Sequence, residues 1–213
     1  MRKDRLIIYQ TLVRLFGNSN KTRKKNGTIE ENGCGKMSDF NFSALRAIKK
    51  LGCNAIWYTG LLQQASQTDY SEYGIPKQNK HVLKGVAGSP YAITDYYSVS
   101  CDLADDPSRR MEEFDELVER THECGMKVII DFVPNHVARG YQSVTAPEGV
   151  KDFGAEDDNT KHFDTNNNFY YCVGQDFMPR FDLGKGEERY EEKPAKATGN
   201  DCFHASPSIN DWY

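Results

Sequence analysis

The stretch VIIDFVPNHV, Val128 to Val137, opens as a buried β-strand and then changes character. Val128, Ile129 and Ile130 favour an apolar setting, whereas Asp131, Asn135 and His136 require water or a polar partner. Side chains alternate along a strand, so Asp131 is expected on the face of Ile129 and Val133, opposite Ile130 and Phe132. A carboxylate there must be paired or hydrogen-bonded, because burying it alone is very costly. Pro134 is expected to end the ladder and leave Asn135 and His136 at the strand's carboxyl end. An amide oxygen suits a hard cation such as calcium, and an imidazole N–H can donate to a hydroxyl. The same residues equally suit a capped strand end in which Asp131 and His136 make only structural hydrogen bonds.

Working toward the N-terminus, DDPSRRMEEFDELVERTHECG reads as a helix. Asp106 caps it, Pro107 occupies the first turn, and Met111, Phe114, Leu117, Val118, Thr121 and Cys124 share one face up to Gly125. CNAIWYTG is a short apolar strand closed by Gly60. NFSALRAIKKLG is a second helix, with Phe42, Leu45, Ile48 and Leu51 in one stripe, Asn41 or Asp39 as N-cap, and Gly52 as its stop. RLIIYQTLVRLF is a first strand. Strand, helix, strand, helix, strand, with strands apolar on both faces, implies a parallel sheet covered on both sides.

Two excursions exceed such a unit. Thr59 to Asp105 is far longer than the roughly five residues a strand-to-helix loop needs. Pro134 to Tyr213 is rich in Asn, Asp, Gly and aromatics and has no helical stripe. Both leave from the carboxyl ends of strands, where parallel α/β proteins place their sites.

Composition narrows the classes. Of 213 residues, 38% are hydrophobic and 27% charged, with a net charge of −4, which fits a water-soluble fold. The basic run KTRKK, Lys21 to Lys25, is extended by nothing around it, so it reads as a solvated loop and not a nucleic-acid surface. No apolar stretch approaches the roughly 18 residues of a membrane span, and the start MRKDRLIIYQ is too short in apolar residues for a signal peptide, which leaves a cytoplasmic setting as the default expectation. No two of the six cysteines are spaced as Cys-x-x-Cys, so a structural zinc site is not expected; Cys53 and Cys124 read as small buried hydrophobes.

A second polar and aromatic cluster, GSPYAITDYYSV, holds Tyr91, Asp95, Tyr96 and Tyr97. An aromatic face stacks on the C–H face of a pyranose and an acid accepts from its hydroxyls, although an aromatic minicore under a long loop is commoner. Taken together, the segments resemble the alpha-amylase family of glycoside hydrolases (glycoside hydrolase family 13). DFVPNHV resembles its first signature region at the end of barrel strand 3, YAITDYY its Tyr-x-x-x-Asp-x-Tyr loop after strand 2, AIWYTG its strand 2, and IIYQTLVRLFGN its strand 1. The order and the linking helix agree over Leu6 to Val137.

The resemblance implies an α/β fold: a partial TIM (β/α)8 barrel, strands 1–3, over residues 1–138, then an irregular domain B insertion over 139–213, stopping before strand 4. It implies a glycosidase acting on α-glucosidic bonds of starch-like glucans with retention, through a covalent glycosyl-aspartate, with an α-glucan or maltooligosaccharide as partner. Tyr91 would stack on the sugar, His136 would bond its hydroxyls, Asp95 would support the same substrate pocket, and Asp131 would organise the strand end. Asn135 would be a calcium ligand in a member that binds calcium. Tyr170, Tyr171, Phe177 and Trp212 would line further sugar subsites or pack structurally, the second being the commoner role.

Retention needs two carboxyl groups about 5 Å apart, which the family supplies from strand 4, in Gly-x-Arg-x-Asp, and from strand 5. Arg180 and Asp182 form an Arg-x-Asp pair, but VGQDFMP before them is no buried strand, so the match is read as accidental. The nucleophile and acid/base are therefore expected outside this chain, which alone is expected to be inactive and, with bare sheet edges, poorly stable. The alternative is a non-catalytic binding or scaffold protein of the same fold, which would have no use for both Tyr91 and His136. An unrelated open α/β domain would need a phosphate loop that RLFGNSN does not supply.

Overall fold

Ala55–Thr59 (β2) forms the centre of a three-stranded parallel sheet, with Ile8–Leu12 (β1) on one side and Lys127–Ile130 (β5) on the other. The computed structural model describes residues 5–178 and 183–197. Its registers are continuous: Tyr9 faces Ile56, which faces Val128, and Gln10 faces Trp57, which faces Ile129. Arg180, Asp182, Cys202 and Trp212 lie outside the described residues.

Both crossovers are helical. Phe42–Lys50 (α2) follows a four-residue helix, Ile29–Asn32 (α1), and joins β1 to β2. Asn41 is its N-cap, its Oδ1 accepting from the backbone N–H groups of Ser43 and Ala44 at 3.0 Å each. Asp39 instead accepts from the Lys36 N–H at 2.7 Å and closes the preceding turn. Arg110–Glu123 (α3) joins β2's excursion to β5, entered by a short 3-10 turn at Pro107–Arg109. Asp106 accepts from the Ser108 N–H, and Glu113 reaches back to the N–H groups of Asp105 and Asp106, both at 2.8 Å. Two of the orphan donors at this helix start, and the N–H just before them, are thereby satisfied.

The buried stripes are narrower than the sequence spacing suggests. Leu45 and Ile48 are buried, but Phe42, the first residue of α2, and Leu51, its C-cap, are 38% and 71% exposed. On α3, Leu117 and Thr121 are buried and Phe114 packs against the core, while Met111 is 38% exposed. The core gathers on one face of the sheet, from Ile56, Tyr58, Met37, Phe40, Leu45 and Leu117. Only that face is covered among the described residues, and not both as the apolar strands suggest: Ile8 is 43% exposed and Gln10 is also exposed. The outer edges of β1 and β5 have no strand partner among the described residues. The parallel ladder ends at Ile130, so Asp131 stands just past the strand and Pro134 is not what stops the pairing.

The long excursion after β2 contains order that the sequence conceals. Leu62–Gln64 (β3) pairs antiparallel with Ile93–Val99 (β4), with register shifts at each step. Beyond β5 the described residues are mostly irregular, and among them is a small antiparallel pair, Tyr171–Cys172 (β6) against Ala195–Lys196 (β7). Five cysteines among the described residues are free thiols; Cys53 is buried and Cys124 packs against the core. No helix of the described residues is long and apolar enough to cross a membrane.

Inside the core, the Tyr58 hydroxyl and the Thr121 hydroxyl lie 2.7 Å apart, and Thr121 Oγ1 also donates to the Leu117 carbonyl. Burial pushes the Tyr58 phenol up to about 12. A phenol whose folded value is raised contributes stability that is complete below its unfolded value near 10 and is lost as pH rises toward 12. Tyr58→Phe is expected to cost about 1 kcal/mol at neutral pH in urea titration. The advantage of the unaltered protein should fall from pH 10 upward and reverse in sign before pH 12, because a phenol raised from 10 to about 12 loses more there than one hydrogen bond contributes; an advantage that grows over that range would contradict this account.

Candidate functional site

The site is built where the carboxyl ends of β2 and β5 meet the loop before β4. Asp131 is its structural link. Its Oδ1 accepts from the Trp57 indole N–H at 2.7 Å and its Oδ2 from the Gly60 backbone N–H at 2.8 Å. Trp57 stands opposite Ile129 in the sheet register, so the next residue on that face, Asp131, falls within its reach. The carboxylate thus ties the ends of two neighbouring strands through both oxygens. Gly60 has φ +73°, and a Cβ there would stand 2.8 Å from the Pro90 Cβ. The turn that receives Asp131 therefore lies directly against the residue preceding Tyr91.

Tyr91 is 41% exposed at the start of the β4 segment. His136 is partly buried, with its Nδ1 3.4 Å from the Asn135 side-chain nitrogen. The two segments that carry them are joined directly: the Ala138 N–H donates to the Ile93 carbonyl at 2.8 Å, and the Gln142 N–H donates to the Thr94 carbonyl at 3.0 Å. Tyr91 and His136 are each two residues from the first of these bonds. Ala92 and Ala138 share a small buried cluster with Ala65 and Leu83. The Tyr96 hydroxyl donates to the Val133 carbonyl and lies 3.3 Å from the His136 carbonyl, and burial raises its pKa above the ordinary phenol value. Its ring packs among Phe132, Tyr141 and Phe153, with centroids about 6 Å away.

Asp95 is 1% exposed. Its Oδ1 accepts from the Tyr97 N–H at 2.8 Å and the Ser143 hydroxyl at 2.7 Å. Its Oδ2 accepts from the Val144 N–H at 3.0 Å and the Thr145 hydroxyl at 3.1 Å. All four donors are the chain's own, so this carboxylate fixes the backbone on both sides of the site and presents no free oxygen. Trp57, Ser143 and Thr145 are positioning residues that sequence reasoning missed, and Tyr96, named in the aromatic cluster, joins them in that role. The Ser and Thr in QSVTAP were a signal for side-chain bonds to a loop, without a partner that spacing alone could name.

Asn135 is exposed. One amide oxygen is a small part of the six to eight oxygens that calcium takes. Among the described residues no group of three or more His, Cys, Asp and Glu side chains comes together that could hold a metal ion. Tyr171 and Phe177 are buried, Tyr171 donating from its hydroxyl to Asp157 at 3.0 Å, whereas Tyr170 is 41% exposed. A cavity of about 380 Å³ lies elsewhere, lined by Arg14, Asn18, Arg23, Thr28 and Asn32 among others, and neither Tyr91 nor His136 reaches it.

Comparison with known proteins gives a match to the family described as "Alpha amylase, catalytic domain" over residues 14–176. The chain is 28% identical over 133 residues to alpha-amylase MalA of Haloarcula japonica, covering 62% of this chain and 14% of that one. It is 24% identical over 184 residues to a cyclomaltodextrin glucanotransferase of Bacillus licheniformis, covering 80% of this chain and 23% of that one. Among solved structures, AmyP in complex with maltose is 28% identical, with a TM-score of 0.49, covering 68% of this chain and 26% of that one. The chain therefore spans about a quarter or less of the length of these relatives.

Asp95→Ala would take the shared acceptor from four donors at once. The expected cost is ~3 kcal/mol of stability. Amide exchange at Val144 and Tyr97 should lose protection well before that of β2; unchanged protection at both would show that Asp95 does not hold the two segments together.

Proposed function

Because the chain belongs to the alpha-amylase family of glycoside hydrolases, whose catalytic-domain model matches residues 14–176, we propose that it is the first part of a (β/α)8 barrel acting on α-glucosidic bonds of starch-like glucans. Residues 1–138 supply barrel strands 1–3, as β1, β2 and β5, and residues 139–213 supply part of the insertion that follows strand 3. The observation that supports this most is the direct bond between the Tyr91 and His136 segments, Ala138 N–H to Ile93 carbonyl. It sets an exposed aromatic ring and an imidazole at one end of a parallel sheet, which is the end where such folds build their sites.

In this reading the Tyr91 ring takes the C–H face of a glucose unit and His136 donates from its ring to that unit's hydroxyls. Asp131 holds the ends of β2 and β5 in register, and through Gly60 and Pro90 it sets where Tyr91 begins. Asp95 fixes the 143–145 segment beside β4. The two carboxylates of the site are both occupied by chain donors, so neither serves as nucleophile or acid/base. A retaining reaction requires two further carboxyl groups about 5 Å apart, one to form the glycosyl intermediate and one to shuttle the proton. We assign both to sequence outside these residues. Calcium takes no part in this reading; Asn135 would contribute at most one oxygen to a site completed elsewhere.

Calorimetry of the full-length protein with maltooligosaccharides tests the site. His136→Ala and Tyr91→Ala are each expected to weaken affinity about 10-fold or more, the loss of a hydrogen bond or a stacked ring worth roughly 1.4 kcal/mol. Affinity and turnover that stay at the unaltered level would refute the placement of these residues. The 213-residue chain by itself should release no reducing sugar from starch, and measurable release would overturn the assignment of the catalytic acids.

A further inference from the structure

We infer that the cavity between the loop after β1 and the β2 excursion binds the phosphate group of a small ligand, through the guanidinium groups of Arg23 and Arg14. One wall of this cavity of about 380 Å³ comes from the 14–33 segment and the other from Thr68, Val86 and Ala87. Two arginines line it and no Asp or Glu does, so its charge selects an anion and rejects a metal ion. The 14–33 segment holds five Lys and Arg against two Glu, in a chain whose net charge is −4. The basic run Lys21 to Lys25 thus borders a concave site as well as solvent.

The two arginines differ in what already holds them. Arg14 donates from Nη2 to Asp102, which is 2% exposed and also accepts from the Tyr70 hydroxyl at 2.8 Å. That pair fixes one guanidinium at the wall and offsets its charge. Arg23 has no acid against it among the described residues, so among the lining residues its charge is the uncompensated one. Its backbone is left-handed, with φ +49°, a conformation that side chains rarely adopt. Clamps on both sides impose it: the Thr22 N–H donates to Asn20 Oδ1 at 2.8 Å, and the Lys24 N–H donates to Asn32 Oδ1 at 2.7 Å. Asn32 Nδ2 returns a bond to the Lys24 carbonyl at 2.9 Å, and Asn20 Nδ2 reaches the Glu31 carbonyl at 3.1 Å. These amides are spent on the loop's own backbone, which leaves recognition to the arginines. Strained backbone that its surroundings over-determine is a mark of ligand clamps, and a ligand here meets an arginine stem already placed.

Size and fork geometry narrow the ligand. The volume lies at the small end of ligand pockets, which admits a phosphate ester of monosaccharide size and leaves no room for a nucleic-acid strand. A guanidinium fork pairs with two oxygens of a carboxylate or a phosphate. Two forks lining one cavity favour phosphate, whose terminal oxygens can serve both, over a carboxylate, whose two oxygens fill one. Free phosphate and a phosphorylated sugar share this head group. The inference stands apart from the glucan reading, since neither Tyr91 nor His136 lines the cavity.

Calorimetry of the full-length protein with inorganic phosphate, glucose 6-phosphate and acetate tests this, with circular dichroism to establish that each variant is folded. Both phosphate ligands are expected to bind saturably, and acetate roughly tenfold more weakly or worse. Equal affinities for the two assign the site to the free ion, and tighter glucose 6-phosphate assigns it to the ester; either result supports the inference. Arg23→Gln should weaken phosphate binding roughly tenfold or more. Lys21→Gln removes the same charge from the same loop but from outside the lining, and should cost less than about threefold, as a screened surface charge does. His136→Ala should leave phosphate affinity unchanged. Equal losses in Arg23→Gln and Lys21→Gln would show diffuse attraction to a basic loop and overturn the inference. A loss in His136→Ala matching that in Arg23→Gln would place the ligand at the glucan site and also overturn it. So would full affinity in Arg23→Gln, acetate binding as tight as phosphate, or no saturable phosphate binding by the unaltered protein.

Discussion

The carboxylate of Asp95 lies almost wholly out of water, at 1% exposure, and has no cation against it among its hydrogen-bond partners. Taking an ion out of water costs several kcal/mol, and only a full set of donors offsets that. Two of those donors come from a segment 48 and 49 residues further along, and a third from the residue after them. The 143–145 segment is therefore held in place, because detaching it would remove three of the four donors that satisfy the buried charge. Asp95 converts a stretch with little regular structure into one with a fixed address beside β4.

Asp131 works at the other side of the same site by a different arrangement. Its oxygens are divided between an indole on β2 and the backbone turn that ends β2, so it aligns strand ends where the sheet's own ladder has already stopped at Ile130. Between these two acids runs the short backbone pairing of residues 138–142 with 93–94. Rigid parts thus meet around Tyr91 and His136, which themselves carry few of the bonds. That division of labour spends charged groups on positioning and leaves an aromatic ring and an imidazole for the contact proposed above.

The repeating parts of the fold could be read from sequence because their causes are local. The caps at Asn41 and Asp106, the turns at Gly52 and Gly125, and the apolar runs of the three parallel strands each declare themselves within a few residues. The β3–β4 hairpin did not, because its strands are 28 residues apart at their nearest ends, its register shifts twice, and Gln63 and Gln64 are polar yet buried. Gln63 is buried because its side-chain oxygen accepts from the Cys101 N–H, a partner no local pattern announces. In the site, residue types and their order marked Tyr91, Asp95, Asp131 and His136. The partners of the two acids were not legible, since Trp57, Ser143 and Thr145 owe their roles to distance in space.

Gly60 ties these levels together at a single codon. Its left-handed turn offers an N–H to Asp131 and leaves no space before the Pro90 ring. Every amino-acid replacement reachable from a glycine codon adds at least a β-carbon, and each would press on the residue that launches Tyr91 while straining the donor that Asp131 needs. Position 60 is therefore held to glycine from two sides at once, and any replacement is felt at Asp131 and ahead of Tyr91 together.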